Sequence, residues 1–133
     1  MGSIVEKETG RSSDRSLVAA VFVNRLKINM PLQTDPTVIY GIGPKFDGNL
    51  RKADLRKDSP YNTYMHKGLP PTPIAMPSKE SLLAVMHPAK SDAIYFVARG
   101  DGSSHFSKTL QEHESAVDQF QRKRNVTTKS NSQ

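Results

Sequence analysis

Two glutamates, Glu6 and Glu8, lie near the start of the chain in the run Ile4-Val5-Glu6-Lys7-Glu8-Thr9. On a helix, residues two apart diverge by about 200°, so the pair cannot serve one site and only one carboxylate can face a cleft. Glu8 follows Val5 by three residues and Ile4 by four, which puts it on the apolar side, whereas Glu6 points toward solvent. A carboxyl held against apolar groups has a raised pKa and can act as a general acid. By residue type alone, a pair of surface glutamates is the commoner explanation. Other candidates are softer. Tyr61-Asn62-Thr63-Tyr64, beside Gly68-Leu69-Pro70-Pro71, combines aromatic faces with amide and hydroxyl groups, the set a sugar site uses, though a turn with Tyr packed on the core would look the same. Gln33, Asp35 and Asn24 are polar residues beside apolar helices, suited to a site or to capping. His105 stands next to Phe106 in a β-rich run and can line a cleft or sit half-exposed on a strand.

Other chemistries are poorly supported. The histidines 66, 87, 105 and 113 have no HxxxH or HExxH spacing, and Cys is absent, so neither a metal site nor a thiol nucleophile is expected. There is no Gly-x-Ser-x-Gly elbow. The glycines of Gly41-Ile42-Gly43 lack the rest of a phosphate loop, and no cofactor is indicated.

The elements that must carry these residues follow from capping and periodicity. Ile4 to Thr9 reads as the end of a helix closed by Gly10. Asp14 is placed to cap a helix from Arg15 to about Ile28, whose apolar groups cover much of its circumference and mark it as the central buried helix. Thr34-Asp35-Pro36-Thr37 predicts a cap with Pro in the first turn, opening a short helix to Tyr40. Residues 44 to 77 hold most of the prolines, which forbids long helices and predicts a long ordered loop or lid serving a site. Ser78 caps a helix to about Met86, ended by His87-Pro88. Ile94 to Arg99 and Ser104 to Ser107 predict a hairpin across Gly100-Asp101-Gly102. Thr109-Leu110-Gln111-Glu112 has capping-box spacing and starts a last helix to about Arg124. The class is α+β: a helical core with one hairpin and a long Pro-rich loop. Residues 1–121 form one domain, and 122–133 a disordered basic tail.

The 133 residues allow one core, and the longest apolar run, Leu17 to Val23, is far short of the roughly 20 residues a membrane span requires. A net charge of +6 suits nucleic acid, an anionic membrane or an acidic polymer alike, and four of the positive residues (Arg122, Lys123, Arg124, Lys129) belong to the tail. Met1-Gly2-Ser3 enters the first helix without a targeting signal, so the start reads as a boundary cut within a longer protein.

Several blocks together resemble the endolytic murein transglycosylase family, the MltG or YceG-like proteins. They are residues 4–9, Val21-Phe22-Val23-Asn24-Arg25-Leu26, the run from Leu32 to Gly41, Tyr61 to Tyr64, Gly68 to Pro71, Tyr95-Phe96-Val97 and His105-Phe106, in order between residues 3 and 121. The resemblance implies a fold distantly lysozyme-like, with Glu8 as the catalytic acid. It implies cleavage of the β-1,4 bond between N-acetylmuramic acid and N-acetylglucosamine in peptidoglycan strands, leaving 1,6-anhydromuramoyl ends. Gln33, Asp35, Tyr61, Asn62, Tyr64 and His105 are assigned to substrate by motif membership and side-chain type. Peptidoglycan, with cell-wall synthases as candidate partners, replaces nucleic acid as the expected ligand. The resemblance also implies an intact protein with a LysM-like subdomain and an N-terminal anchor, working at the periplasmic face of the inner membrane. Two other readings remain open: a hydrolytic muramidase using Asp35 as base, and a non-catalytic glycan-binding or scaffold module.

Overall fold

In the computed structural model, which describes residues 1–8 and 11–122, the chain forms six α-helices and one two-stranded antiparallel sheet, an α+β arrangement. The helices are α1 (Gly2–Glu8), α2 (Arg15–Lys27), α3 (Asp35–Ile42), α4 (Lys52–Arg56), α5 (Lys79–Met86) and α6 (Leu110–Val117); the strands β1 (Tyr95–Ala98) and β2 (Ser104–Ser107) lie between α5 and α6. A π-helical turn, Asp118–Arg122, follows α6. The expected cap at Gly10, the last helical turn beyond 122 and nearly all of the tail lie outside the described residues. Among the described residues no helix is long and apolar enough to cross a membrane.

Helix α2 is central, as its composition requires. Val18, Ala19, Ala20, Val21 and Phe22 are essentially inaccessible, and α1, α5 and β1 pack around it. Alanines at 19 and 20 let neighbours approach, while Phe22 meets Phe96 of β1 edge to face, ring centroids 6.0 Å apart. Ile4 and Val5 of α1, Leu32, Ile74 and Ala84 complete the core. Truncating Phe22 to Ala there would cost about 3–5 kcal/mol.

Asp14 holds the expected N-cap position of α2, but its carboxylate accepts the Ser104 N–H at 2.9 Å and thereby ties the start of α2 to β2. The other end of α2 closes on Asn29, at φ +58°, with Asn29 N–H donating to Leu26 O and Met30 N–H to Arg25 O. This left-handed closure turns the chain sharply into the segment that carries Leu32, Gln33 and Thr34. Ser78 and Thr109 cap α5 and α6 as their spacing predicts, each hydroxyl accepting the N–H three residues on.

The proline-rich stretch begins in a 3-10 turn, Gly43–Lys45, and continues as a succession of turns broken by the short helix α4. Asn62 organises it: its amide donates to the carbonyls of Leu55 and Lys57, and its Oδ1 accepts the Tyr64 N–H. The hairpin pairs Tyr95 with Ser107, Phe96 with Phe106 and Val97 with His105, and sets Phe106 beside Phe96 against the core.

Candidate active site

A cleft of about 420 Å³ opens where α1 ends, between the turn that leads into α3 on one side and the hairpin with α6 on the other. Glu8 is the last residue of α1 and reaches it because Ile4 and Val5, one turn earlier on the same side of the helix, are fully buried. The Thr34 hydroxyl, itself buried, donates to Glu8 Oε1 at 2.7 Å. Burial raises the pKa of Glu8 above the ordinary carboxylate range, and the neighbouring Asp35 charge adds to the rise; the Thr34 hydrogen bond and the Arg25 cation oppose it. The net shift is upward, toward the protonated acid.

Thr34 is fixed in turn. Its N–H donates to Thr63 Oγ1, and the Thr37 hydroxyl donates back to the Thr34 carbonyl, so three threonines hold the strap against α3. Gln33, just before it, adopts φ +52° with its N–H on the Thr63 carbonyl, an uncommon conformation for a residue with a side chain, and lines the cleft exposed. Asp35 lines it as well, its carboxylate accepting a short hydrogen bond from the Tyr64 hydroxyl. Burial and that bond push the Tyr64 phenol pKa well above its usual value, so Tyr64 stays a neutral donor.

Four of the residues expected from the sequence therefore converge: Glu8, Gln33, Asp35 and Tyr64. Three do not line the cleft. Asn62 is 1% exposed and spends its amide on loop carbonyls, so its side chain offers a sugar no surface. Tyr61 stacks at a tilt on Tyr40 and shares a hydrogen bond with Thr72. His105 lies against Phe120, ring centroids 5.7 Å apart. Glu6 also departs from expectation: its carboxylate accepts the Ser78 N–H at 2.7 Å and the Ser81 hydroxyl at 2.9 Å, clamping α1 to the start of α5. Those hydrogen bonds, Ser78's first, hold its pKa at about 2.

The opposite wall contains residues to which the sequence reading assigned no role at the site: Arg25, Tyr95 and Phe96, which belong to the blocks carrying the resemblance, with Leu110 and His113. His113 stacks on Tyr95 with centroids 4.9 Å apart and planes within 17°, while the Arg25 guanidinium lies 5.5 Å from the same ring. Burial and the Arg25 charge lower the His113 pKa, which keeps the imidazole neutral. Leu110 and His113 are three apart just after the Thr109 cap and so share a helix face, a signal present in the sequence. No group of three His, Asp or Glu side chains able to hold a metal occurs among the described residues. The arrangement is that of a proton donor in a partly dry cleft with aromatic and amide surroundings, which suits cleavage of a polar polymer by acid catalysis.

Comparison with known proteins points the same way. The YceG-like family matches residues 1–119. The endolytic murein transglycosylase of Bacillus subtilis (strain 168) is 49% identical over 120 residues, 90% of this chain and 33% of that protein. The protein of the same name from Streptococcus pneumoniae serotype 2 (strain D39) is 37% identical over 123 residues, 88% of this chain and 22% of its own length. A crystal structure of a yceG-like protein from Listeria monocytogenes superposes with a TM-score of 0.79 at 48% identity, covering 86% of this chain and 36% of that one. The chain thus spans a third or less of the length of these curated relatives.

Proposed function

Because the chain belongs to the YceG-like family, we propose that it carries the catalytic cleft of an endolytic peptidoglycan transglycosylase, with Glu8 as its acid and base. The observation that supports this most directly is the half-buried Glu8 carboxyl, its pKa raised by burial, hydrogen-bonded on one oxygen by Thr34 at the wall of the cleft. Oε1 accepts from Thr34, which leaves Oε2 available to carry the proton.

The reaction needs one such group. Glu8 gives its proton to the glycosidic oxygen, the bond from that oxygen to muramoyl C1 breaks, and N-acetylglucosamine leaves with a free hydroxyl. The 6-hydroxyl of the same muramoyl residue then bonds to C1, and its proton returns to Glu8. No water is consumed. Holding the nucleophile on the substrate itself provides the high effective concentration that a separate water lacks. The tyrosine and histidine rings with Gln33 offer the surfaces and donors that would orient the sugars. We further propose that this chemistry acts at the periplasmic face of the cytoplasmic membrane, on glycan strands that cell-wall synthases also handle.

A hydrolytic reading draws on Asp35, which lines the same cleft. Digestion of purified glycan strands in oxygen-18 water, followed by mass spectrometry of the ends, separates the two. Unlabelled 1,6-anhydromuramoyl ends are expected, and they should disappear in Glu8→Gln, whose rate falls by about 10²- to 10⁴-fold. Label at new reducing ends would establish a muramidase. Strands bound but left intact by the unaltered chain would establish a binding module.

A further inference from the structure

Arg25 is 6% exposed and, among the described residues, makes no ion pair. Three backbone carbonyls hold it instead: Nε donates to Ile94 O at 2.7 Å, and Nη1 to Leu32 O at 2.9 Å and Pro31 O at 3.2 Å. Carbonyls orient a guanidinium but leave its charge uncompensated, and a buried cation without a counter-ion is an expensive thing to keep. Its position explains the expense, since it borders the cleft that Glu8 enters and lies against Tyr95. Resting on the proposed role of Glu8 as acid, we propose that Arg25 is a positioning residue that supplies the fixed positive charge against which the Glu8 carboxylate forms once the proton has gone to the leaving oxygen.

The surroundings of Glu8 leave few alternatives for that task. Thr34 offers a hydroxyl but no charge, and Asp35 from α3 is of the wrong sign. Tyr64 is held neutral by burial and by its bond to Asp35, Tyr95 from β1 is a phenol, and burial with the Arg25 charge keeps His113 of α6 uncharged. Lys7 neighbours Glu8 in sequence but is exposed on α1 and does not line the cleft. Arg25 is thus the permanently charged cation of the cleft, and of the influences on Glu8 only it and Thr34 favour ionisation. Its Nε and Nη1 are committed to carbonyls on β1's approach and on the 31–34 strap, so the charge is fixed to both walls at once. A preorganised charge of this kind stabilises the ionised state without reorganisation during reaction.

Citrulline at position 25 isolates the charge, because the urea keeps the Nε–H and one terminal NH₂ for the carbonyls and loses only the cation. In the 133-residue chain, carbon-13 NMR of the Glu8 carboxyl should show its titration midpoint move upward by about 1 pH unit, the low end of what a nearby opposite charge produces. The alkaline limb of kcat/KM on glycan strands should move by the same amount, with KM little changed, and Arg25→Lys, which retains a cation, should move both less. A folded citrulline protein with an unmoved Glu8 midpoint or pH profile overturns the proposal. Failure of the citrulline protein to fold, with its donors intact, would assign the charge a structural role and overturns it equally. The NMR arm needs no turnover, so an unaltered chain that leaves glycan intact would refute the transglycosylase reading while the charge coupling is still measured.

Discussion

Glu8→Gln should make the protein more stable, by an amount that depends on pH. The fold raises the Glu8 pKa, chiefly by burying it, so native chains bind this proton more tightly than unfolded ones. The contribution to stability is fully present below the unfolded pKa and is lost as pH rises through the folded value. Gln imitates the protonated acid in shape, can accept the Thr34 hydrogen bond, and never ionises. The two proteins should therefore melt together at about pH 3.5. Between the unfolded and folded pKa values the difference should open at up to about 1.4 kcal/mol per pH unit and then level off. With an unfolding entropy of about 2.1 cal/mol/K per residue, a chain of this length shifts its Tm by about 5 °C for that amount. Calorimetric melts of both proteins from pH 3.5 to 8.5 provide the assay. A difference that is flat with pH, or a Gln variant that is less stable at neutral pH, would show that the carboxyl is not held in the protonated state and would remove the physical basis for calling it an acid.

Other perturbations test the supports of the site. Glu6→Gln can still accept from Ser78 and Ser81 and should keep most of the cleavage activity, whereas Glu6→Ala removes the acceptor and should lower Tm throughout pH 4 to 8, since its pKa of about 2 leaves it ionised across that range; circular-dichroism melts and glycan turnover read both. Gln33→Gly relieves the positive φ at a cost site worth about 1 kcal/mol and should raise Tm slightly while raising KM for glycan strands. Tyr64→Phe removes the donor to Asp35 and should lower kcat/KM several-fold with little change in Tm; unaltered kinetics would place Tyr64 outside substrate positioning.

The sequence displays what is local. Caps at Ser78 and Thr109, the hairpin and the face of α1 that carries Glu8 all depend on residues within a turn of one another, and each stands in the structure where its spacing puts it. What depends on distant partners is not legible in the same way. Glu6 reads as solvated because Ser78 and Ser81 lie more than 70 residues away, and Asp14 reads as a helix cap because Ser104 lies 90 residues away. Asn62 has the composition of a sugar contact, yet an amide serves loop carbonyls equally well, and only the turn of the chain decides. Among the hairpin residues, side-chain type favoured His105 over Tyr95, while the docking of α6 decides which of the two borders the cleft.

The same contrast bears on why one carboxyl can suffice. A muramidase needs a second carboxylate free to take a proton from water on the far face of the sugar. Asp35 follows directly on Thr34, the residue that holds Glu8, so the two acids come from one wall, and one Asp35 oxygen already accepts the Tyr64 hydroxyl. Both features make Asp35 a poor partner for a reaction that needs groups on opposite faces. The far wall is largely aromatic, and the Arg25 charge on it favours an anion beside it. Such a wall supplies contacts for a sugar and no second carboxylate. On the proposed transglycosylase reading, the nucleophile is one the substrate brings with it, the 6-hydroxyl of the muramoyl residue, and Glu8 acts on both halves of the proton transfer.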